Sequence, residues 1–284
     1  MHVEKMSFKH KDALYEKLKK MGATLSDYNF ANLYLFRDVH NYEVIFDKEL
    51  FIKGKTYDDF TYIMPTEDPR KINLTHLKEL MKGVDFCYPI AEEWLEAFNI
   101  EGFRRSYKDG DSDYIYTLEK MATYKGRRLH KKRNLLKQFV TLYEHAAHPL
   151  TEERIEDAVS VLEAWQKDMG IPSGETDYHP CLEALRMREK LVLCGIIYYA
   201  NKEAAGFILG AELGNEVFVL NFAKGKRKFK GIYQYMYNNL ANLLPKKYKY
   251  FNFEEDLDKE ALKVAKSSYV PDAMLKKYRV TVKK

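Results

Sequence analysis

Apolar positions recur along the chain with two different spacings, and the spacings follow one another in the same order twice. In the first half, apolar residues three and four positions apart predict helices over residues 8–21 and 73–82. Three short segments rich in aromatic and β-branched residues lie between them, at 42–46, 50–54 and 60–65, separated by turn-forming residues. This pattern predicts an antiparallel meander between two helices.

The remaining segments keep the same order in both halves. The first half continues with a buried-looking strand at 84–90, a short helix at 92–98 and two strands on either side of 109–113. The second half has predicted helices at 151–169, 180–190, 232–244 and 259–266 and predicted strands at 191–200, 204–213, 216–223, 248–253 and 278–283. The repeated order predicts a duplicated domain.

Duplication predicts a mixed α+β fold with two domains, each a largely antiparallel central sheet flanked by helices. The predicted limits are 1–123 for the first domain and 140–284 for the second. A basic connecting helix is predicted between them, at 124–139.

The composition is that of a folded protein, because 46% of the 284 residues are hydrophobic and 31% are charged, which excludes a disordered or fibrous chain. Cys87, Cys181 and Cys194 lack the spacings of a disulfide framework or a zinc site, so no metal is expected. The N-terminus lacks a signal-peptide core, and the longest apolar run, 191–200, is about half of a bilayer span. We expect a cytoplasmic protein without a transmembrane segment.

Charge is distributed unevenly along the chain. The net charge of +5 divides into −4 over residues 1–123 and +9 over 124–284, an asymmetry that indicates a polyanionic partner. Two segments hold most of the excess, with seven basic and no acidic residues at 124–137 and five basic residues at 224–230. The first segment is predicted to contact anions through Arg127, Arg128, Lys131, Lys132 and Arg133.

The second basic segment runs from a predicted strand into a predicted helix that begins at Ile232. A helix N-terminus offers unpaired N–H groups and a partial positive charge, so it attracts phosphate. Lys228 to Gly231 resemble the start of the loop that holds the pyrophosphate of coenzyme A in GNAT-type acyltransferases. Tyr233 stands where that loop has Gly or Ala, which disfavours coenzyme A.

Three segments resemble the family named after the C-terminal domain of phosphatidylglycerol lysyltransferase: SDYNFANLYLFR at 26–37, YKGRRLHKKRN at 124–134 and FNFEEDLDKEALKVAKSSYVP at 251–271. The resemblance implies a tandem GNAT-like fold. It also implies transfer of an aminoacyl group from aminoacyl-tRNA, because members that carry a preceding membrane segment move such a group from aminoacyl-tRNA to a lipid headgroup. One departure is the stretch 221–224, which lacks the His-x-Glu-Lys run of many members.

The resemblance also implies site residues. Asn252 and Asp256 are the predicted catalytic residues, and the alternative for Asp256 is a cap on the helix at 259–266. Lys266 and Tyr269 are predicted to orient a substrate. The predicted donor and phosphate site comprises Lys224, Lys228, Lys230, Gly231, Tyr233 and Gln234. Asp27, close to a predicted helix start, is read as a cap or turn former.

No HExxH, GxSxG or Walker motif occurs, which excludes the hydrolases that depend on them. Three functions remain open. The first is an acyltransferase that moves an aminoacyl group from aminoacyl-tRNA to a lipid or a small molecule. The second is an acyl-CoA-dependent N-acyltransferase, and the third is a non-catalytic module that binds RNA or anionic headgroups. Expected partners are tRNA and, peripherally, an anionic membrane surface.

Overall fold

The computed structural model describes residues 1–99 and 102–283. The α-helices are α1 (Lys11–Met21), α2 (Phe30–Leu35), α3 (Leu74–Leu80), α4 (Leu118–Thr123), α5 (His130–Leu142), α6 (Ile155–Met169), α7 (Tyr178–Met187), α8 (Ile232–Leu243) and α9 (Glu260–Ser267). The first strands are β1 (His2–Lys5), β2 (Glu43–Phe46), β3 (Leu50–Lys55), β4 (Thr61–Pro65), β5 (Phe86–Ile90), β6 (Phe103–Tyr107) and β7 (Asp113–Thr117). The later strands are β8 (His145–Pro149), β9 (Cys194–Ala200), β10 (Glu203–Leu213), β11 (Val217–Gly225), β12 (Tyr250–Asn252), β13 (Ala273–Leu275) and β14 (Tyr278–Val282).

The chain divides into two compact units. The first comprises Met1–Tyr114, Glu254–Ala265 and Ala273–Lys284, and the second comprises Ile115–Phe253 and Lys266–Asp272. These limits differ from the predicted ones, because two C-terminal segments belong to the first unit.

The sheet of the first unit explains this return of the chain. Its strands lie in the order β1-β2-β3-β4-β5-β14-β6. Strand β14, at the C-terminal end, forms antiparallel ladders with β5 on one side and β6 on the other. Apolar residues of the central strands, such as Phe51, Ile52 and Met64, are fully buried and form the core. Pairing between segments this far apart in sequence leaves no local pattern, so periodicity alone could not place β14.

The second unit holds a sheet with the order β7-β12-β11-β10-β9-β8. Helices α6 and α8 both pack against β10 and β11. The ladder between β10 and β11 shifts register: Leu209 pairs with Phe222, whereas Gly210 pairs with Leu220. A β-bulge therefore lies at Asn221, near the middle of the sheet.

The order of antiparallel and parallel strand pairings is the same in both sheets. In each sheet three antiparallel pairings are followed by one parallel pairing, β4 with β5 and β11 with β12, and then by an antiparallel pairing. The predicted α+β class with largely antiparallel central sheets is confirmed.

Most predicted elements are present within two to four residues of their predicted limits. The segment 124–139 contains a 3₁₀ turn at Arg127–Leu129 followed by most of α5, and it belongs to the second unit. Strands β1, β8 and β13 and helices α2 and α4 were not predicted from the sequence. Across residues 1–99 and 102–283, no helix combines the length and apolar character needed to cross a bilayer.

Candidate functional site

The start of α8 is where the sequence predicts a phosphate site. Gly231 is the N-cap residue, with φ of 88°, a left-handed conformation that glycine adopts without strain. A Cβ atom at this position would collide with the carbonyl oxygen of Leu135 in α5. The absence of a side chain therefore allows the α5 backbone to approach the start of α8.

Three lysines of the basic loop form ion pairs within the second unit. Lys224 is buried, its Nζ lies 2.7 Å from both carboxylate oxygens of Asp177, and it stacks 3.6 Å from the ring centroid of Trp165. Lys226 and Lys228 contact the Glu203 carboxylate at 2.9 and 2.6 Å. Hydrogen bonds from Lys228 and Lys226 lower the pKa of Glu203, so this pairing is stable at neutral pH.

Two basic residues of the loop remain, Arg227 and Lys230, and both side chains are exposed. The Lys230 backbone N–H donates to the Tyr143 hydroxyl at 3.2 Å. An incoming phosphate would find these two side chains in solvent, whereas the paired lysines would have to exchange a carboxylate for the ligand. The loop thus offers less uncompensated charge than its sequence suggests.

Tyr233 and Gln234 lie in the first turn of α8. The Tyr233 hydroxyl accepts a hydrogen bond from the Gly225 N–H at 3.2 Å, and burial raises the pKa of this phenol to about 12. The Gln234 side-chain amide donates to the Tyr269 hydroxyl at 2.7 Å. The Gln234 backbone carbonyl accepts from the Tyr124 hydroxyl at 3.0 Å. Both residues therefore connect α8 to neighbouring segments.

Helix α5 brings a third predicted residue to the same place. The Lys132 Nζ donates to the Ser268 hydroxyl at 2.7 Å and lies 3.9 Å from the ring centroid of Tyr269. Desolvation lowers the pKa of Lys132 to about 8. Lys132, Gln234 and Tyr269, which the sequence assigned to three separate roles, thus form one cluster within the second unit. We call Lys132, Gln234, Ser268 and Tyr269 the polar cluster.

The other basic residues near α5 divide into two groups. Arg127, Arg128 and Lys131 are exposed and present their charges to solvent. Arg133 instead donates to the backbone carbonyl oxygens of Tyr124 and, at 2.7 Å, Gly126. Arg133 therefore stabilises the turn before α5, whereas Arg127, Arg128 and Lys131 contribute to the exposed positive surface together with Lys125 and Lys137.

Aromatic rings surround the polar cluster. Tyr269 contacts Tyr237 and Tyr124, with ring centroids 5.5 and 6.0 Å apart. Tyr116 and Phe253 extend the group, with centroids 4.7 Å apart. Burial raises the pKa of Tyr269, Tyr237 and Tyr124 well above the usual value for tyrosine. These phenols consequently stay protonated and act as hydrogen-bond groups and apolar walls.

The two predicted catalytic residues belong to different units. Asn252 ends β12 in the second unit and is fully buried. Asp256 belongs to the first unit and is 2% exposed. Its carboxylate accepts from the Tyr114 hydroxyl at 2.6 Å and from the Asp258 N–H at 2.9 Å. These bonds hold the turn that precedes α9, and the catalytic roles stay predictions.

Lys266 is half-buried, and its backbone carbonyl accepts from the Tyr116 hydroxyl at 2.7 Å. Tyr124 and Ser268 were not among the predicted site residues, although both contact such residues. Both lie within segments that resemble the family, at 124–134 and 251–271, but only the folded chain brings Tyr124 to α8 and Ser268 to α5.

A second polar centre lies in the first unit, where the sequence analysis predicted only caps. Lys277, 1% exposed at its side chain, contacts Asp27 at 2.7 Å and Asp113 and Glu255 at 2.8 Å each. Burial by itself lowers the pKa of Lys277. The carboxylates of Asp113, Asp27 and Glu255 have the larger effect, and they hold the pKa of Lys277 well above its usual value. Burial also raises the pKa of Asp27. This centre fixes the ammonium of Lys277, the residue directly before β14, among three carboxylates.

A family model described as phosphatidylglycerol lysyltransferase, C-terminal, matches residues 19–281. The structure of a protein of unknown function from Bacteroides thetaiotaomicron is 26% identical, with a TM-score of 0.85 over 99% of both chains. The structure of L-PGS from Bacillus licheniformis is 15% identical, with a TM-score of 0.64 over 96% of this chain and 92% of that one.

Two further relatives extend the comparison. The C-terminal domain of a putative lysylphosphatidylglycerol synthetase from Agrobacterium fabrum is 11% identical, with a TM-score of 0.64 over 96% of this chain and 93% of that one. An uncharacterized protein of Mycoplasmoides gallisepticum is 25% identical over 211 residues, which is 70% of this chain. The match spans 64% of the Mycoplasmoides protein, so the chain covers less than two thirds of its length.

Proposed function

The chain belongs to the phosphatidylglycerol lysyltransferase C-terminal family, and we propose that it transfers an aminoacyl group from aminoacyl-tRNA to a lipid or small-molecule acceptor. Membership of this family and the likeness of the fold to that of L-PGS from Bacillus licheniformis support an acyltransferase-like function. The choice of donor rests on one observation, the contacts of Lys132 with Ser268 and Tyr269 in the polar cluster.

This contact joins an exposed positive surface to the predicted donor site. Arg128 and Lys131 are exposed on the segment that carries Lys132, and Lys132 reaches Ser268 and Tyr269. A tRNA carries a phosphate at every nucleotide, so a basic surface that leads up to the site matches its length and charge. Coenzyme A is short and would need only the loop before α8.

That loop is less suited to coenzyme A. Its lysines at 224, 226 and 228 are paired with Asp177 and Glu203. A pyrophosphate would have to displace those carboxylates, and the loss of two or three ion pairs would offset its attraction. The Tyr233 hydroxyl also occupies one backbone donor of the loop, because it accepts a hydrogen bond from the Gly225 N–H.

Transfer from an ester requires little chemistry beyond positioning. The acceptor amine or hydroxyl attacks the ester carbonyl and gives up its proton, the ester C–O bond breaks, and the terminal tRNA hydroxyl leaves with a proton. The resemblance to GNAT-type acyltransferases implies backbone donors for the tetrahedral oxyanion around 220–223, and the β-bulge at Asn221 lies in that stretch. Lys132, with a pKa of about 8, can exchange a proton near neutral pH.

The test compares the two donors on the same variants. Arg128→Glu combined with Lys131→Glu should weaken tRNA binding strongly and lower the salt slope of binding by about 2, because each lost phosphate contact removes about 0.9. Acetyl-CoA binding should stay unchanged. Fluorescence anisotropy with labelled tRNA and thermal shift with acetyl-CoA measure these two quantities.

A matched control carries the same change of charge elsewhere. Lys20→Glu with Lys246→Glu alters two exposed lysines and should leave the salt slope as in the wild type. Unchanged tRNA binding by the Arg128 and Lys131 variant would contradict the proposed donor. Equal loss of tRNA and acetyl-CoA binding would show that these residues support the site's structure and not a long ligand.

A further inference from the structure

Helix α9 is amphipathic, yet none of its eight residues is buried. At 100° per residue, Ala261, Leu262, Val264 and Ala265 share one side. Leu262 is 38% exposed and Val264 is 59% exposed. Surface helices of folded domains usually turn their apolar side to the core, whereas this helix turns its apolar side to solvent.

The opposite side of α9 is basic. Lys263 and Lys266 lie on it, and Lys259 directly precedes the helix, whereas Glu260 is the one acidic residue of the segment 259–267. An apolar side facing a lysine-rich side is the arrangement of helices that lie in a membrane interface. Such helices place their apolar residues among the upper acyl chains and their lysines among the phosphates.

Positive charge continues beyond the end of α9. Ser268 follows the last residue of the helix and accepts the hydrogen bond from Lys132 of α5. Lys131 is the neighbour of Lys132 in sequence and is exposed, as is Arg128 four residues before it. Lys266 of α9 and the exposed basic residues near α5 both belong to the second unit, whereas Lys259 and Lys263 belong to the first.

We propose that α9 docks the protein on an anionic lipid surface, with Leu262 and Val264 inserted at the boundary between headgroups and acyl chains. Its charge requires an anionic occupant. Leu262 and Val264 offer nothing to an RNA backbone, and four small apolar residues cover far less than the roughly 800 Å² per partner of a stable protein interface. This inference does not depend on the donor or on the transfer reaction.

The test measures sedimentation of the full chain with two kinds of vesicle, equal parts phosphatidylcholine and phosphatidylglycerol, and phosphatidylcholine alone. The wild type should bind the mixed vesicles and bind the neutral vesicles much more weakly. Lys259→Gln with Lys263→Gln should weaken binding about fivefold for each lysine removed. Leu262→Ser with Val264→Ser should weaken it by about tenfold or more, because the inserted apolar surface is lost.

Val39→Ser is the matched control, since Val39 is 49% exposed, lies outside the helices and should bind vesicles like the wild type. Circular dichroism confirms that each variant is folded. Wild-type binding by the Leu262 and Val264 variant would overturn the proposal, as would equal affinity of the wild type for both vesicles. A wild-type dimer that this variant dissociates would assign the apolar side to a second copy, which also overturns it.

Discussion

Asp256 carries two hydrogen bonds whose loss can be predicted from the structure. In Asp256→Asn the amide oxygen can still accept from the Asp258 N–H, while the amide nitrogen faces the Tyr114 hydroxyl, which must rotate to accept. A hydrogen bond to a charged group contributes about 1.5–3 kcal/mol and a neutral one about 0.5–1.5 kcal/mol. We expect a loss of about 1–2 kcal/mol in the free energy of unfolding, because the site is buried. For a chain of this size that corresponds to a decrease of roughly 2–8 °C in Tm.

The assay is urea unfolding of Asp256→Asn, Tyr114→Phe and the double variant. If the two residues stabilise the fold through their mutual bond, the double variant should lose less stability than the sum of the single variants. Additive losses, or an Asp256→Asn variant as stable as the wild type, would refute this reasoning. A general base would behave differently, since its loss costs about 10²–10⁴-fold in rate with little change in stability.

Three further predictions concern charged groups. Lys132 should be acetylated by trace acetic anhydride with half-maximal rate near pH 8, measured by peptide mass spectrometry, whereas a rate still rising above pH 10 would contradict its desolvation. Lys230→Ala should weaken tRNA binding and reduce its salt slope, because the exposed Lys230 ammonium is available to a phosphate, and an unchanged slope would place the phosphate elsewhere. Lys277→Met should lower stability by about 3–5 kcal/mol at pH 7, because buried carboxylates lose their partner. Protonation of those carboxylates should shrink the deficit at pH 5 in urea unfolding, and a constant deficit would contradict this.

The elements of the fold were largely predictable, because long apolar patterns dictate them. Strand β10 is buried along nearly its whole length, and helix α6 buries one face. Such burial requires apolar residues at the spacing of a strand or of a helix, which the sequence shows. The missed β1 and β8 are short and mostly exposed, and β8 ends at a proline, so their polar sequences lack that period.

Partners across the sheet were not predictable. The sequence predicts β14 as a strand in a lysine-rich C-terminal segment but gives no partner for it, and only the folded chain shows that it lies between β5 and β6. The same placement buries the neighbouring Lys277, which in sequence is one lysine among several.

The candidate site was predictable in part. Lys132, Gln234 and Tyr269 were singled out by charge and family resemblance, and the structure adds that they are in contact. The ion pairs of the loop lysines with Asp177 and Glu203 could not be predicted, because these acids lie 47 and 25 residues away in sequence from Lys224 and Lys228.

The central claim is that the chain moves an aminoacyl group from tRNA to an acceptor. The direct measurement follows radiolabelled amino acids on a mixed pool of aminoacyl-tRNA, in the presence of phosphatidylglycerol vesicles or of small amines, with and without the protein. The account predicts that label appears on an acceptor in several-fold molar excess over the protein, and that acetyl-CoA donates no acetyl group under the same conditions. Aminoacyl-tRNA that hydrolyses at the same rate with and without the protein, while acetyl groups pass from acetyl-CoA to the amines, would contradict it.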